Sequence, residues 1–206
     1  MLLLEMLPII GGINHGRRKA CWCLFFFLIT FHALSQTKRS YYFRNLDITN
    51  GLSQNTVNAI LQDRNGFMWF GTKDGLNRYD GITVKVFKNN DGSANGLNHG
   101  FITTLFEDRE GNIWIGTDVG VYLYNPRKES FERFSARAQN GRSVDRTVNK
   151  IGAGPQGEIL FAVHGRGLFS YDPKRKKLRN LPFAEKGSVR DFQLDKQGRI
   201  WITFYK

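Results

Sequence analysis

Six polar side chains, Asn98, His99, Arg142, Asp145, Arg146 and Arg166, stand in stretches that interrupt an otherwise repeated pattern. Asn98 and His99 lie in KNNDGSANGLNHG (88–100), Arg142, Asp145 and Arg146 in SARAQNGRSVDR (135–146), and Arg166 in HGRG (164–167). The short turns KDG (73–75) and DVG (118–120) belong with them. Amide, guanidinium, imidazole and carboxylate groups both donate to and accept from hydroxyls, and the three arginines favour a neutral or acidic partner. They suit a polyhydroxylated ligand, and they suit water as well.

Catalytic chemistry asks for more than this. Beyond residue 35 the histidines are His99 and His164, in different repeats, with no acidic residue at a ligand-like spacing. A zinc site needs three or four converging ligands. Gly-x-Ser-x-Gly, His-Glu-x-x-His, a phosphate-binding Gly-Lys-Ser/Thr and a dinucleotide fingerprint are all missing. The expectation is a chain with no catalytic residue, no metal and no cofactor. Asp63, Asp108 and Asp195 recur ahead of a glycine and read as turn builders. Trp69, Trp114 and Trp201, placed at the middle of the inner strand, read as packing between repeats.

The elements that would hold these loops are written several times over. DRNGFMWFGTKDGLNRYD (63–80) returns 45 residues later as DREGNIWIGTDVGVYLYN (108–125), with eight of eighteen positions identical. A weaker copy is GPQGEILFAVHGRGLFSYD (154–172), and DKQGRIWITFYK (195–206) begins a fourth. The repeated positions are Asp63, Gly66, Trp69, Gly71, Gly75 and Tyr79, then Asp108, Gly111, Trp114, Gly116, Gly120 and Tyr124, then Gly157, Gly167 and Tyr171, then Gly198 and Trp201. Each copy follows an apolar pair three residues apart: Val57/Ile60, Ile102/Leu105, Val148/Ile151, Val189/Phe192.

Within a copy, TVNAILQ reads as a strand, DRNG as a turn and FMWFGT as a strand covered on both faces. KDG is a second turn and LNRYD a third strand; ITVKVFK alternates apolar and polar, as an outer strand with one wet face does. Four antiparallel strands at a period near 45 residues predict an all-β fold, a β-propeller of four-stranded blades. HEAT-type helical arrays share that period, but turn signals every six to eight residues leave no room for their helices. The expected blades are 53–90, 98–134 and 146–182, with a truncated one at 187–206, about three and a half in all. Residues 36–52 lead in, with a possible ring-closing strand. Because the chain stops within the fourth copy, it is expected to be a piece of a longer one that would aggregate or associate alone.

The first 35 residues differ. Arg17, Arg18 and Lys19 precede the apolar run ACWCLFFFLITFHAL (20–34), and Ala33 and Ser35 fit a cleavage site. A helical secretory signal removed after Ser35 is the expected reading, and a retained signal anchor the alternative. Both cysteines, Cys21 and Cys23, fall inside it, so neither a disulfide framework nor a thiolate metal site is expected beyond it. The formal charge is +12, and without Arg17, Arg18, Lys19 and Glu5 the balance is 27 basic to 17 acidic residues. The positive residues are spread through turns and outer strands, apart from KRKK at 174–177. That run reads as a solvated hairpin tip, so no nucleic acid partner is expected.

NGLSQNTVNAILQDRNGFMWFGTKDGLNRYDG (50–81) closely resembles the two-component regulator propeller repeat, in which "GLS…V" leads into "D..G.[IL]W.GT..GL..Y". YYFRNLDITNGLS (41–53) resembles the usual approach to such domains. The likeness spans residues 41–206; it is strong in the first two copies and weak in the third, where Leu160 replaces the tryptophan and Ala162-Val163 the Gly-Thr pair. The resemblance implies the periplasmic sensing half of a hybrid two-component protein, in which two seven-bladed propellers and a β-sandwich precede a membrane span, a histidine kinase, a receiver and a DNA-binding domain. It implies an oligosaccharide or other small polar ligand, further blades and a kinase as partners, and a homodimeric parent held in the inner membrane. The sensor role carries over to this chain, and kinase activity does not. Two other classes stay open: a secreted propeller enzyme acting on polysaccharide by lysis or hydrolysis, which would need carboxylates, His or Tyr converging at the channel, and an exported protein-binding scaffold.

Overall fold

The computed structural model describes residues 40–88, 97, 100–182 and 188–205. The expected signal helix lies outside them, as do Asn98 and His99. Contacts divide the chain into Met1–Arg44 and Asn45–Lys206. In the first unit, residues 40–44 take no regular structure, and Tyr41, Tyr42 and Phe43 are exposed. All described strands belong to the second.

That unit begins with a 3-10 turn, Ile48–Asn50, capped reciprocally by Asp47 and Asn50 and closed by Gly51 at φ 101°. The first sheet follows: β1 (Val57–Gln62), β2 (Met68–Thr72), β3 (Gly75–Tyr79) and β4 (Val84–Phe87). The second sheet is β5 (Ile102–Glu107), β6 (Ile113–Thr117), β7 (Gly120–Asn125) and β8 (Ser130–Arg133). The third is β9 (Val148–Ala153), β10 (Ile159–Val163), β11 (Gly167–Asp172) and β12 (Lys177–Leu181); β13 (Val189–Leu194) and β14 (Ile200–Phe204) pair as a fourth. Every pairing is antiparallel between chain neighbours, so each sheet is a meander. The first strands β1, β5, β9 and β13 lie beside one another, as the inner strands of a partial propeller do.

The sheets stack face to face, and each junction holds one core. Trp69, Leu76, Ile113, Ile115 and Tyr124 fill the first, Trp114, Ile151, Phe161 and Phe169 the second, and Leu160, Leu168, Val189 and Phe192 the third. The tryptophans stand on the second strands of the first, second and fourth sheets rather than on the innermost strands, where the sequence reading put them. Trp69 and Trp114 do pack across a junction, as the sequence reading expected, whereas Trp201 is exposed. Trp69 meets Tyr124 of the next sheet edge-on at 5.0 Å, and Trp114 meets Phe161 at 5.6 Å and Tyr171 at 5.8 Å.

The apolar pairs three residues apart break the two-residue period of a strand, and a bulge reconciles them. Register slips after the first residue of each inner strand, between Val57 and Ala59, Ile102 and Thr104, Val148 and Lys150, and Val189 and Asp191. One extra residue restores the phase, so Val148 with Ile151, and Val189 with Phe192, enter the same core.

The turns repeat as closely. Asp63 Oδ1 accepts the amides of Asn65 and Phe67 at 2.9 and 3.0 Å, while Oδ2 accepts the Trp69 indole N–H at 2.7 Å. Asp108 does the same for Glu110, Asn112 and Trp114, and Asp195 for Gln197, Arg199 and Trp201. The third copy lacks both partners, with Gly154 and Leu160 in their places, and Glu158 takes the Gln156 amide instead. Gly71 is required by approach rather than by turn geometry: a Cβ there would stand 2.4 Å from Ile102 Cγ2 of the next sheet. At Gly66 it is the backbone that matters, with φ at 90° and open space around it.

Candidate functional site

The bulged inner strands build a polar cavity. The residue pushed out by each bulge is Asn58, Thr103, Asn149 or Arg190, and the first three reach sideways to the next sheet. Asn58 Nδ2 donates to the Ile102 carbonyl at 2.9 Å, Thr103 Oγ1 to Val148 at 2.6 Å, and Asn149 Nδ2 to Val189 at 2.6 Å. This ladder ties neighbouring inner strands and satisfies carbonyls that the slipped register would strand.

Beside it lies a cavity of about 530 Å³, open to solvent and lined by all four inner strands. Asn58, Ala59 and Ile60 come from β1, Thr103 to Leu105 from β5, Asn149 and Lys150 from β9, and Arg190 and Asp191 from β13, with Phe101 and Tyr205 completing the lining. Lys150 Nζ stands 3.7 Å from Asp191 Oδ1, both partly exposed, so the pair stays hydrated and reachable. The Arg190 guanidinium lies over the Tyr205 ring at 5.7 Å. His164 meets that ring edge-on at 5.6 Å, and its Nδ1 is 3.1 Å from the Ser188 hydroxyl. The site offers two cations, one carboxylate, amides and hydroxyls beside two aromatic rings. Hydroxyl-rich and acidic ligands match that inventory. Among the described residues no three His, Cys, Asp or Glu side chains gather as a metal site would need.

The residues singled out from sequence fall elsewhere. Arg166 pairs with Asp145 at 3.3 Å, and Arg142 Nη1 donates to Asn180 Oδ1 at 3.4 Å. Asn180 in turn donates to the carbonyls of Arg166 and Leu168. The nearby Ser143 hydroxyl first, and then the Arg166 guanidinium, hold the Asp145 carboxyl below its usual range against the opposing effect of burial. The structure thus gathers Arg142, Asp145 and Arg166 around the β10–β11 turn, bonded to one another's surroundings, and leaves Arg146 exposed. None of the four lines the cavity. Lys150, Arg190, Asp191 and Tyr205 went unnoticed in the sequence. The available signal was the polar residue directly after the leading apolar position of each copy: Asn58, Thr103, Asn149, Arg190.

Comparison with known proteins agrees with this architecture. The two-component regulator propeller profile matches residues 51–74 and 96–119, so the chain carries two such repeats. Over 58 residues it is 41% identical to histidine kinase P4 of Formosa agariphila; the match covers 28% of this chain and 4% of that protein. Among solved structures it is similar to the extracellular domain assigned to the hybrid two component system BT3049 of B. thetaiotaomicron, with a TM-score of 0.55 and 21% identity over 80% of this chain and 30% of that one. A virginiamycin B lyase of Staphylococcus aureus gives a TM-score of 0.59 at 15% identity, covering 78% of this chain and 52% of the lyase. At these identities the structural likenesses establish the propeller fold. The chain spans only a small part of the kinase and under a third of the extracellular domain.

Proposed function

We propose that this chain, built on two-component regulator propeller repeats, is part of the exported, ligand-sensing region of a two-component signalling protein. It holds a neutral or acidic oligosaccharide at the inner-strand cavity and performs no chemistry on it. The kinase, the remaining blades and the membrane anchor would belong to the parent protein, acting as a homodimer in the periplasm. One observation carries the reading: Lys150, Arg190, Asp191 and the two asparagines are presented to one solvent-open cavity with Phe101 and Tyr205. Sugars are bound by such combinations, because hydroxyls take planar polar groups and C–H faces take rings. The repeats supply the signalling context.

A ligand bridging β1, β5, β9 and β13 would bear on the angle between neighbouring sheets. It would bias the parent's equilibrium only by its difference in affinity for the two states. Titration calorimetry against a panel of neutral, uronic and sulfated oligosaccharides tests the proposal. Binding of at least one member, weakened about tenfold by Arg190→Ala or Lys150→Ala, is the expected result, since each removes a charge-assisted contact. Arg142→Ala should leave affinity unchanged, and the recovered sugar should show no new reducing ends or unsaturated products. Silence across the panel, or binding indifferent to both cavity substitutions, would overturn it.

A further inference from the structure

A second cavity, of about 510 Å³, lies between the second and third sheets on the side of the Asp108 turn. At the corresponding place between the first and second sheets stands the Arg78 side chain, and its contacts are instructive. There Arg78, half-buried on β3, lays its guanidinium 4.8 Å from the Phe67 ring centre and 5.8 Å from that of Trp69. Its Nη1 donates to the Tyr124 hydroxyl at 3.3 Å and to Glu129 Oε1 at 3.1 Å, while Lys85 Nζ holds Glu129 Oε2 at 2.8 Å.

Strand register gives each of these a partner one repeat on. Arg78 pairs with Trp69 and Lys85 in the first sheet, and Leu123 with Trp114 and Glu132 in the second. Tyr171 stands for Tyr124. Lys176 stands for Glu129, both at positive φ in the same turn. Three rings of the floor are retained: Trp114, Phe134 and Tyr171, with centroids 4.8–5.8 Å apart, repeat Trp69, Phe87 and Tyr124, while Phe67, the ring nearest the Arg78 guanidinium, is replaced by Asn112. The plug is gone, because Leu123 carries no cation. The charges at the rim are exchanged, with Glu132 for Lys85 and Lys176 for Glu129.

We infer that the cavity between the second and third sheets binds an alkylguanidinium from outside the chain, seated where Arg78 seats its own at the preceding junction. Glu132 and Glu110, both exposed, line it together with Asp108, whose carboxylate already accepts from the Glu110 and Asn112 amides and the Trp114 indole. Of the two cations in the lining, Arg133 donates to the Val119 carbonyl at 3.2 Å, and Lys176 sits on the exposed β11–β12 turn. Burial raises the phenol pKa at both tyrosines. At Tyr124 the Arg78 guanidinium works against that rise, whereas at Tyr171 the carboxylates of Asp172 and Glu132 add to it. Carboxylates beside a cluster of tilted and edge-to-face rings are the setting in which a guanidinium gains cation–π and charge-assisted contacts together. This inference does not depend on the sugar reading of the inner-strand cavity.

The test titrates the whole chain with agmatine, with an acetylated, amidated arginine, and with a neutral alkyl alcohol of matched length, by NMR of the Trp114 indole and the ring protons of Phe134 and Tyr171. Agmatine should shift these resonances with a dissociation constant of about millimolar order, as its size allows. The alcohol should not. If the capped arginine binds as well as agmatine, the natural source is an arginyl side chain of a polypeptide; if only agmatine binds, it is a small molecule. Glu132→Gln, at an exposed position, should weaken binding about tenfold, the loss of one charged contact. Leu123→Arg with Lys176→Glu should install the plug and abolish binding, while Arg190→Ala should change nothing. No shift at Trp114 with any guanidinium, equal binding of the alcohol, or full affinity in Glu132→Gln would overturn the assignment.

Discussion

Removing the turn aspartate should cost very different amounts in different sheets, although the three sites make nearly the same bonds. In Asp108→Ala, two backbone amides and the Trp114 indole N–H lose a charged acceptor. The amides border solvent and can take water. The indole does so far less readily, because Trp114 is only 3% exposed among Phe134, Phe161 and Tyr171, although its ring borders the second cavity. A buried donor left without a partner costs about 1–3 kcal/mol, and the lost charged bonds bring the expected total to roughly 3–4 kcal/mol. Asp63→Ala should match it, since Trp69 is 1% exposed. Asp195→Ala should cost only about 1 kcal/mol, because Trp201 is 62% exposed and water replaces the carboxylate. Urea unfolding by circular dichroism measures the three losses, and exchange of the indole protons by NMR reports which are shielded. Equal costs in all three variants would refute the argument, since burial would then not be what sets the magnitude.

Other outcomes follow from the same packing. Gly71→Ala should destabilise by about 2–3 kcal/mol through overpacking against Ile102, and Gly66→Ala by about 1–2 kcal/mol through backbone strain alone; thermal denaturation of both would rank them. Asn149→Ala should speed amide exchange in β13 while leaving β5 unchanged, because only the tie to the Val189 carbonyl is cut. The Glu129 carboxyl, bonded first to Lys85 and then to Arg78, should titrate below the ordinary 4.5 in a carbon-detected NMR titration. Its depressed pKa means that the junction gains stability above the unfolded value and loses it as pH falls through the folded one.

Much of this was readable in the residues, and the limits are physical. Asp63 and Gly66 act within a few residues of themselves, so their turn could be read directly. The repeat of Trp69 and Trp114 told of packing, yet not of the bond back to the aspartate, because an indole reaching six residues across a hairpin depends on strand register. The third copy does hold a trace of it: aspartate and tryptophan are replaced together, by Gly154 and Leu160. The three-residue spacing of Val189 and Phe192 was visible in every copy, but its cause, a bulge, depends on strand register. The inner-strand cavity was the least legible feature. Its lining takes two or three residues from each of four strands about 45 positions apart, and only the stacking of sheets puts Lys150 beside Asp191.

The sideways bonds of Asn58, Thr103 and Asn149 all end on a main-chain oxygen, a group that every amino acid supplies. Such a joint makes no demand on the identity of its receiver. Units fastened in this way are interchangeable parts: one can be duplicated, or drift as far as the third has, without its neighbour having to change in step.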